Sequence, residues 1–152
     1  MQMKMESLSQ KNVDIYIDYL KKAMLCEPDM MTAEHVDETA IRNRMNDAFY
    51  RNTKSILALV DEQVAGRIEY HFYGCMQDGC RMSYVDWVYV LPEYRHQGIA
   101  KNLFKEFEKD CKDNGIDQYY LIRARNKNAD AFYRNFENAS LQDEPLLRKE
   151  LK

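Results

Sequence analysis

The stretch Val85-Asp86-Trp87-Val88-Tyr89-Val90-Leu91-Pro92-Glu93-Tyr94-Arg95-His96-Gln97-Gly98-Ile99-Ala100 decides how this chain folds. It reads as an apolar strand, a proline stop, a short basic loop carrying one glycine, and the opening of a helix. Beyond Gly98 the apolar residues fall at Ile99, Leu103, Phe104, Phe107 and Cys111, one face of a helix. A strand turning tightly into a helix aims unpaired backbone N–H groups and the positive end of the helix dipole at one point. That point suits an anion, above all a phosphate. Glycine at 98 and the small Ala100 let the backbone approach closely, and Arg95 adds a positive charge.

Composition narrows the alternatives. At 152 residues, 45% hydrophobic and 31% charged, the chain predicts one globular domain over 1–152. The 5 Gly and 3 Pro do not describe a linker-rich or low-complexity protein. A net charge of −3 provides no general attraction to nucleic acid or anionic lipid, so neither is expected as a partner. Phosphate affinity must then be local, as at the loop. No apolar run approaches the roughly 18–20 residues of a membrane helix. The opening Met1-Gln2-Met3-Lys4-Met5-Glu6 has no apolar signal region, and a cytoplasmic location is expected. Of the cysteines, Cys111 lies on an apolar helix face, while Cys75 and Cys80 flank a turn. Free thiols are expected in a reducing compartment, and without a second Cys/His pair at ligand spacing no metal site is expected.

Taken in order, residues 3–8 read as a short strand. Ser9 then caps a helix to about Met24, with Val13, Ile15, Ile17, Tyr19 and Leu20 inward. Pro28 makes residues 26–31 irregular. Thr32 caps a second helix over 33–49, with Val36, Ile41, Met45 and Phe49 inward and Glu34, Asp37, Glu38 and Asp47 outward. That outer face is either a plain solvated surface or an acidic rim that attracts a cation. Residues 55–60 and 64–73 form two strands; in the second, Ile68, Tyr70 and Phe72 alternate with Arg67, Glu69 and His71. With residues 81–91 they make an antiparallel meander. The helix from Gly98 stops at Asn114-Gly115. The strand over 118–123 should lie parallel to its predecessor through a right-handed crossover. Asn126 caps a short helix, and residues 146–151 end the chain as a last strand.

These elements and motifs converge on a resemblance. Val90-Leu91-Pro92-Glu93-Tyr94-Arg95-His96-Gln97-Gly98-Ile99-Ala100 resembles the pyrophosphate loop Arg/Gln-x-x-Gly-x-Gly/Ala of the GNAT superfamily of acetyl-CoA-dependent N-acetyltransferases. Its place between an apolar strand and an amphipathic helix raises the value of a short pattern. Asn126-Lys127-Asn128-Ala129-Asp130-Ala131-Phe132-Tyr133 is similar to that family's Asn-x-x-Ala-x-x-Phe-Tyr helix, and Val64-Ala65-Gly66-Arg67-Ile68 to the strand after its first hairpin. One departure stands out: Glu137 and Asn138 replace the usual Gly-Phe, which affects the path into the last strands. The resemblance implies an α+β GNAT fold: a mostly antiparallel twisted sheet of about six to seven strands, a splayed parallel pair at the cofactor, and about four helices.

The resemblance also implies roles. Backbone N–H groups of His96, Gln97, Gly98, Ile99, Ala100 and Lys101, beside Arg95, would hold the pyrophosphate of acetyl-CoA. The backbone of Val88, Tyr89 and Val90 would pair with pantetheine as if with another strand. Asn126 would bond near the thioester, or simply cap its helix. Tyr133 would protonate the leaving thiolate, the plain alternative being a packed aromatic. Because free amines are protonated near pH 7, a base is needed; Asp86, within an apolar strand, is the first candidate, with Glu69, His71 or a water chain as alternatives. The irregular 26–31 segment and second helix, with Trp87 and Tyr73, would border the acceptor. A small cationic amine, polyamine or aminoglycoside-like acceptor is favoured, with direct transfer in a ternary complex and a homodimer expected. A peptide or protein acceptor, and an inactive acetyl-CoA sensor, are the alternatives.

Overall fold

The computed structural model describes residues 2–152. Contacts gather the chain into two compact units, Met1–Leu121 and Ile122–Lys152. The larger holds a five-stranded sheet in sequence order: β1 (Met3–Ser7), β2 (Thr53–Val60), β3 (Gln63–Gly74), β4 (Arg81–Val90) and β5 (Gln118–Leu121). The first four pair antiparallel, and β5 joins β4 in parallel, as its entry from a helix predicts. Helix α1 (Val13–Cys26) packs on one face of the sheet and α3 (Ile99–Asp113) on the other.

The alternation of β3 makes this sandwich. On one face Tyr70 meets Phe107 of α3 edge to face at 4.7 Å, beside the fully buried Ile68 and Leu103. On the other, α1 contributes Ile17, Tyr19 and Ala23 to a core with Leu57, Leu59, Tyr89 and Leu91. The Tyr19 hydroxyl donates to the Tyr89 carbonyl at 2.9 Å, which gives this buried phenol its partner. Gly66 lies where β3, β4 and the start of α3 meet. A Cβ there would stand 3.0 Å from Val90 Cγ2 and 3.2 Å from Ile99 Cγ2.

Several expectations need correction. Asn12 rather than Ser9 precedes α1, its Oδ1 accepting the Ser9 N–H at 2.8 Å. The second helix shrinks to α2 (Glu38–Arg44), because Asp37 supplies the cap that Thr32 was expected to supply, accepting the Ala40 N–H at 2.9 Å. A separate 3-10 turn, Ala48–Tyr50, is capped by Asp47. This leaves Phe49 84% exposed rather than inward. Glu38 is no free acidic rim either, since it pairs with Lys21 and Arg42. Arg67, read as the outer face of a half-buried strand, is buried.

The smaller unit contains α4 (Lys127–Tyr133), giving four α-helices among the described residues. Arg123, expected within the last parallel strand, instead ties this unit together, bonding Asp130 at 3.0 Å and the Gln142 carbonyl at 3.0 Å. Residues 146–151 are irregular, with Leu146, Leu147 and Leu151 exposed, so the sheet has five strands rather than about six to seven. Asn138, one of the two departures from the motif, sits at φ 56, a left-handed turn that ends the helical path.

Candidate active site

The pairing of β4 with β5 stops at Val85 opposite Leu121. At that level β4 carries a bulge: Glu69 faces Trp87 and Tyr70 faces Val85, so Asp86 is the extra, unpaired residue. A bulge bends its strand and sharpens the local twist. Beyond it β4 runs on to Val90 with no second partner strand among the described residues. The Leu91 N–H donates to the Ala65 carbonyl on β3 at 2.9 Å. By alternation the backbone groups of Val88 and Val90 face away from β3, toward the open edge. Tyr89 has a different part. Its carbonyl is taken by Tyr19, and its hydroxyl donates to Glu27 at 2.7 Å, so it braces the strand instead of offering groups at the edge.

After Pro92–Tyr94, a 3-10 turn, His96 (φ 61) and Gly98 (φ 77) both adopt left-handed backbone, and α3 begins at Ile99. Such alternation turns successive amides toward one hollow. No side chain caps α3 and its first turn has no acid. The N–H groups of Ile99, Ala100 and Lys101 therefore lack intrahelical acceptors and point at this hollow with the positive end of the dipole. The donor set fits a pyrophosphate. Arg95 is less free than its charge suggests: its guanidinium is engaged by Glu27, and its Nε donates to the Val90 carbonyl at 3.0 Å. It locks the loop onto the end of α1. Glu27 is held below the ordinary carboxylate range by Arg95 first and by the Tyr89 hydroxyl second.

A groove of about 1140 Å³ is lined by Arg67, Glu69, His71 and Asp86 with Tyr16 of α1 and Arg44 of α2, and it extends to Tyr70 and to Lys109 and Asp110 of α3. Three sequence-picked base candidates thus come together. His71 Nε2 stands 3.9 Å from Asp86 Oδ2, with both side chains partly exposed, and Glu69 Oε1 accepts from the Ser55 hydroxyl at 3.4 Å. Trp87 and Tyr73 do not line this groove. Trp87 leans on Tyr89 at the core, and the Tyr73 and Tyr120 hydroxyls meet at 3.2 Å. Two residues escaped the sequence reading. Glu27 was hidden in an irregular segment beside Pro28. Arg67 carried one signal, a lone charge within Val64-Ala65-Gly66-Arg67-Ile68.

In the smaller unit, Asn126 Oδ1 accepts the Ala129 N–H at 2.8 Å, so it does cap α4. Tyr133 packs edge to face with Phe132 at 5.1 Å and Phe136 at 5.4 Å. Burial pushes its phenol up to about 12. All four cysteines are free thiols. Among the described residues no cluster of His, Cys, Asp or Glu is disposed to hold a metal, and no helix is long and apolar enough to cross a membrane.

Residues 17–137 match the family described as acetyltransferase (GNAT) family. The chain belongs to this family, and its class is that of an acyltransferase. Solved structures repeat the fold at low identity. An aminoglycoside acetyltransferase, meta-AAC0020, from an uncultured soil metagenomic sample in complex with sisomicin has a TM-score of 0.81 at 16% identity, over 99% of this chain and 97% of that one. The ribosomal-protein-alanine N-acetyltransferase of Brucella melitensis biovar Abortus 2308 gives 0.76 at 17%, over 97% and 100%. An integron cassette protein from the mobile metagenome of V. cholerae gives 0.80 at 15%, over 99% and 93%. At such identities these likenesses concern the fold alone. No curated protein matches the sequence.

Proposed function

We propose that the chain transfers the acetyl group of acetyl-CoA to the primary amine of a small acceptor, directly within a ternary complex. One observation carries this reading: Asp86 is both the bulged residue where β4 leaves β5 and a wall of the groove. The open strand edge and the groove therefore meet at one carboxylate. Bound acetyl-CoA would supply an activated thioester carbonyl whose sulfur departs as thiolate. The amides at 96–101, the Val88 edge and the Val90 N–H would hold it.

Asp86 and Glu69 attract the amine as a cation. The His71–Asp86 pair then takes its proton, either directly or through water, so that the nitrogen lone pair can form the new amide bond. Tyr133 donates the proton that the departing sulfur requires, and Asn126 bonds near the thioester; both roles follow the family motif. A phenol raised to about 12 remains protonated at working pH, which suits an acid and not a base. The same reading includes a single domain over 1–152, a homodimer and a cytoplasmic location, to be checked by limited proteolysis, sedimentation and fractionation.

The test is thiol release from acetyl-CoA across amines, amino acids, peptides and aminoglycosides. Tyr133→Phe should lower kcat by about 10²–10⁴-fold while coenzyme A still binds. Unchanged turnover would remove Tyr133 as the acid. Coenzyme A binding without turnover of any acceptor would favour a sensor, and failure to bind coenzyme A would overturn the reading.

A further inference from the structure

Arg67 poses a problem that the proposed acetyl transfer leaves unsolved. It sits mid-strand in β3 with 6% of its surface exposed. A guanidinium cannot shed its charge and carries five N–H donors. Its Nε and Nη1 are fully buried and have no hydrogen-bond partner. Nη1 does lie 3.2 Å from Glu69 Oε1, but the approach is not aligned for a hydrogen bond, and that oxygen also receives the Ser55 hydroxyl. The Tyr16 ring, 5.3 Å from Arg67 Cζ, offers a cation–π face, and the Tyr19 hydroxyl also favours the charge, yet Nε and Nη1 still lack a hydrogen-bond acceptor. Buried polar groups are almost always satisfied, and a charge with orphan donors is costly in the interior.

The surroundings say what is missing. Arg67 lines the same groove as Glu69, His71 and Asp86. Residues 67, 69 and 71 share one face of β3 by strand alternation, and the His71–Asp86 contact joins the adjacent strand to that row. This part of the groove wall therefore sets a buried guanidinium next to the Glu69 carboxylate, with the His71–Asp86 pair farther along. A ligand complementary to it carries an anion beside its amine.

Resting on the acetyl-transfer reading of this groove, we propose that the acceptor is an amino acid. Its carboxylate would be received by Arg67, and its amine would lie toward Glu69, His71 and Asp86. A guanidinium and a carboxylate pair through charge-assisted N–H···O bonds, which fix orientation as well as affinity. The same guanidinium would repel a polycation at that end of the groove, which turns the choice of acceptor away from polyamines and aminoglycosides.

Matched pairs test this: leucine against 3-methylbutylamine, phenylalanine against phenethylamine, and lysine against cadaverine, each assayed for kcat/KM with acetyl-CoA. The wild-type protein should prefer the carboxylate-bearing member by about 10- to 100-fold, the range of a charge-assisted pair. In Arg67→Met the ratio should collapse toward one, mainly through KM, and Arg67→Lys should restore part of it. Equal turnover of both members by the wild type overturns the proposal and leaves acetyl transfer standing. If coenzyme A binds but no amine is turned over, the acetyl-transfer reading fails instead. Calorimetric titration with leucine then decides the subsite: binding that Arg67→Lys weakens supports it, and no binding by the wild type overturns it. Should Arg67→Met not fold, the wild-type ratios and Arg67→Lys still decide between these outcomes.

Discussion

Glu27 shows how one side chain can shape a site it does not enter. It receives both Arg95 and the Tyr89 hydroxyl, so a single carboxylate joins the end of α1 to β4 and to the loop before α3. Glu27→Gln keeps the shape but removes the charge that holds Arg95. The KM for acetyl-CoA should rise on the order of tenfold with kcat little changed, as expected for a lost charge-assisted bond on a positioning group. The pH sign is definite. The folded carboxylate titrates lower than the unfolded one, so its stabilisation is present above the ordinary glutamate range and is lost as the pH falls through the folded value. The wild type should lose stability in acid more steeply than Glu27→Gln, as urea midpoints at pH 3 to 6 would report. Asp86 was legible at this scale because a carboxylate interrupts an apolar run. Arg67 was legible only as an oddity, since nothing local reveals that Tyr16 and Tyr19 of α1 come to lie against it.

Among the elements, the turn from β4 into α3 depends on Gly66 as much as on Gly98. A methyl at 66 would meet Val90 and Ile99 side chains and, at 3.2 Å, the Tyr89 carbonyl. The last is backbone and cannot rotate away. Gly66→Ala should therefore cost about 1–3 kcal/mol, the range of overpacking, and shift the start of α3 enough to weaken coenzyme A binding. A melting temperature matching the wild type would show that the strand moves freely, contrary to this packing. The short α2 illustrates what periodicity misses. Apolar spacing over 33–49 fits one long helix, yet Asp37 and Asp47 each cap a separate turn by side-chain hydrogen bonds. Caps compete with helix continuation, and the winner depends on what each turn packs against.

At the scale of the whole molecule, buried aromatics set the alkaline limit. Burial raises the phenols of Tyr19, Tyr70, Tyr89 and Tyr133, and it pushes the Cys111 thiol up to about 12. These groups stay protonated in the folded chain when their unfolded counterparts ionise, so stability falls as the pH rises. The decline should start near the ordinary thiol value, about 8.5, and steepen above about 10, where unfolded tyrosines ionise, by at most about 1.4 kcal/mol per pH unit for each group. Urea unfolding at pH 8, 9, 10 and 11 checks it, with Cys111→Ala removing the first part of the slope. A midpoint independent of pH up to 11 would contradict the burial of these phenols.

The sequence by itself determined the family, the meander into the glycine loop, the amphipathic helix behind it and the Asn126 cap. These are written in nearest-neighbour chemistry: alternation, helical spacing, a proline stop and a residue suited to positive φ. The tertiary structure alone decided that Asp86 is a bulge, that Arg95 is held by Glu27, that Arg67 is buried, and that the tail over 146–151 adds no strand. The tail's leucines stay exposed; for the other three the physical reason is common. Each depends on groups that are distant in sequence and share space only after the sheet has formed, where burial and pairing outweigh local preference. The loop at Arg95 to Ala100 was readable as an anion cradle from its own residues; what stands beside it was not.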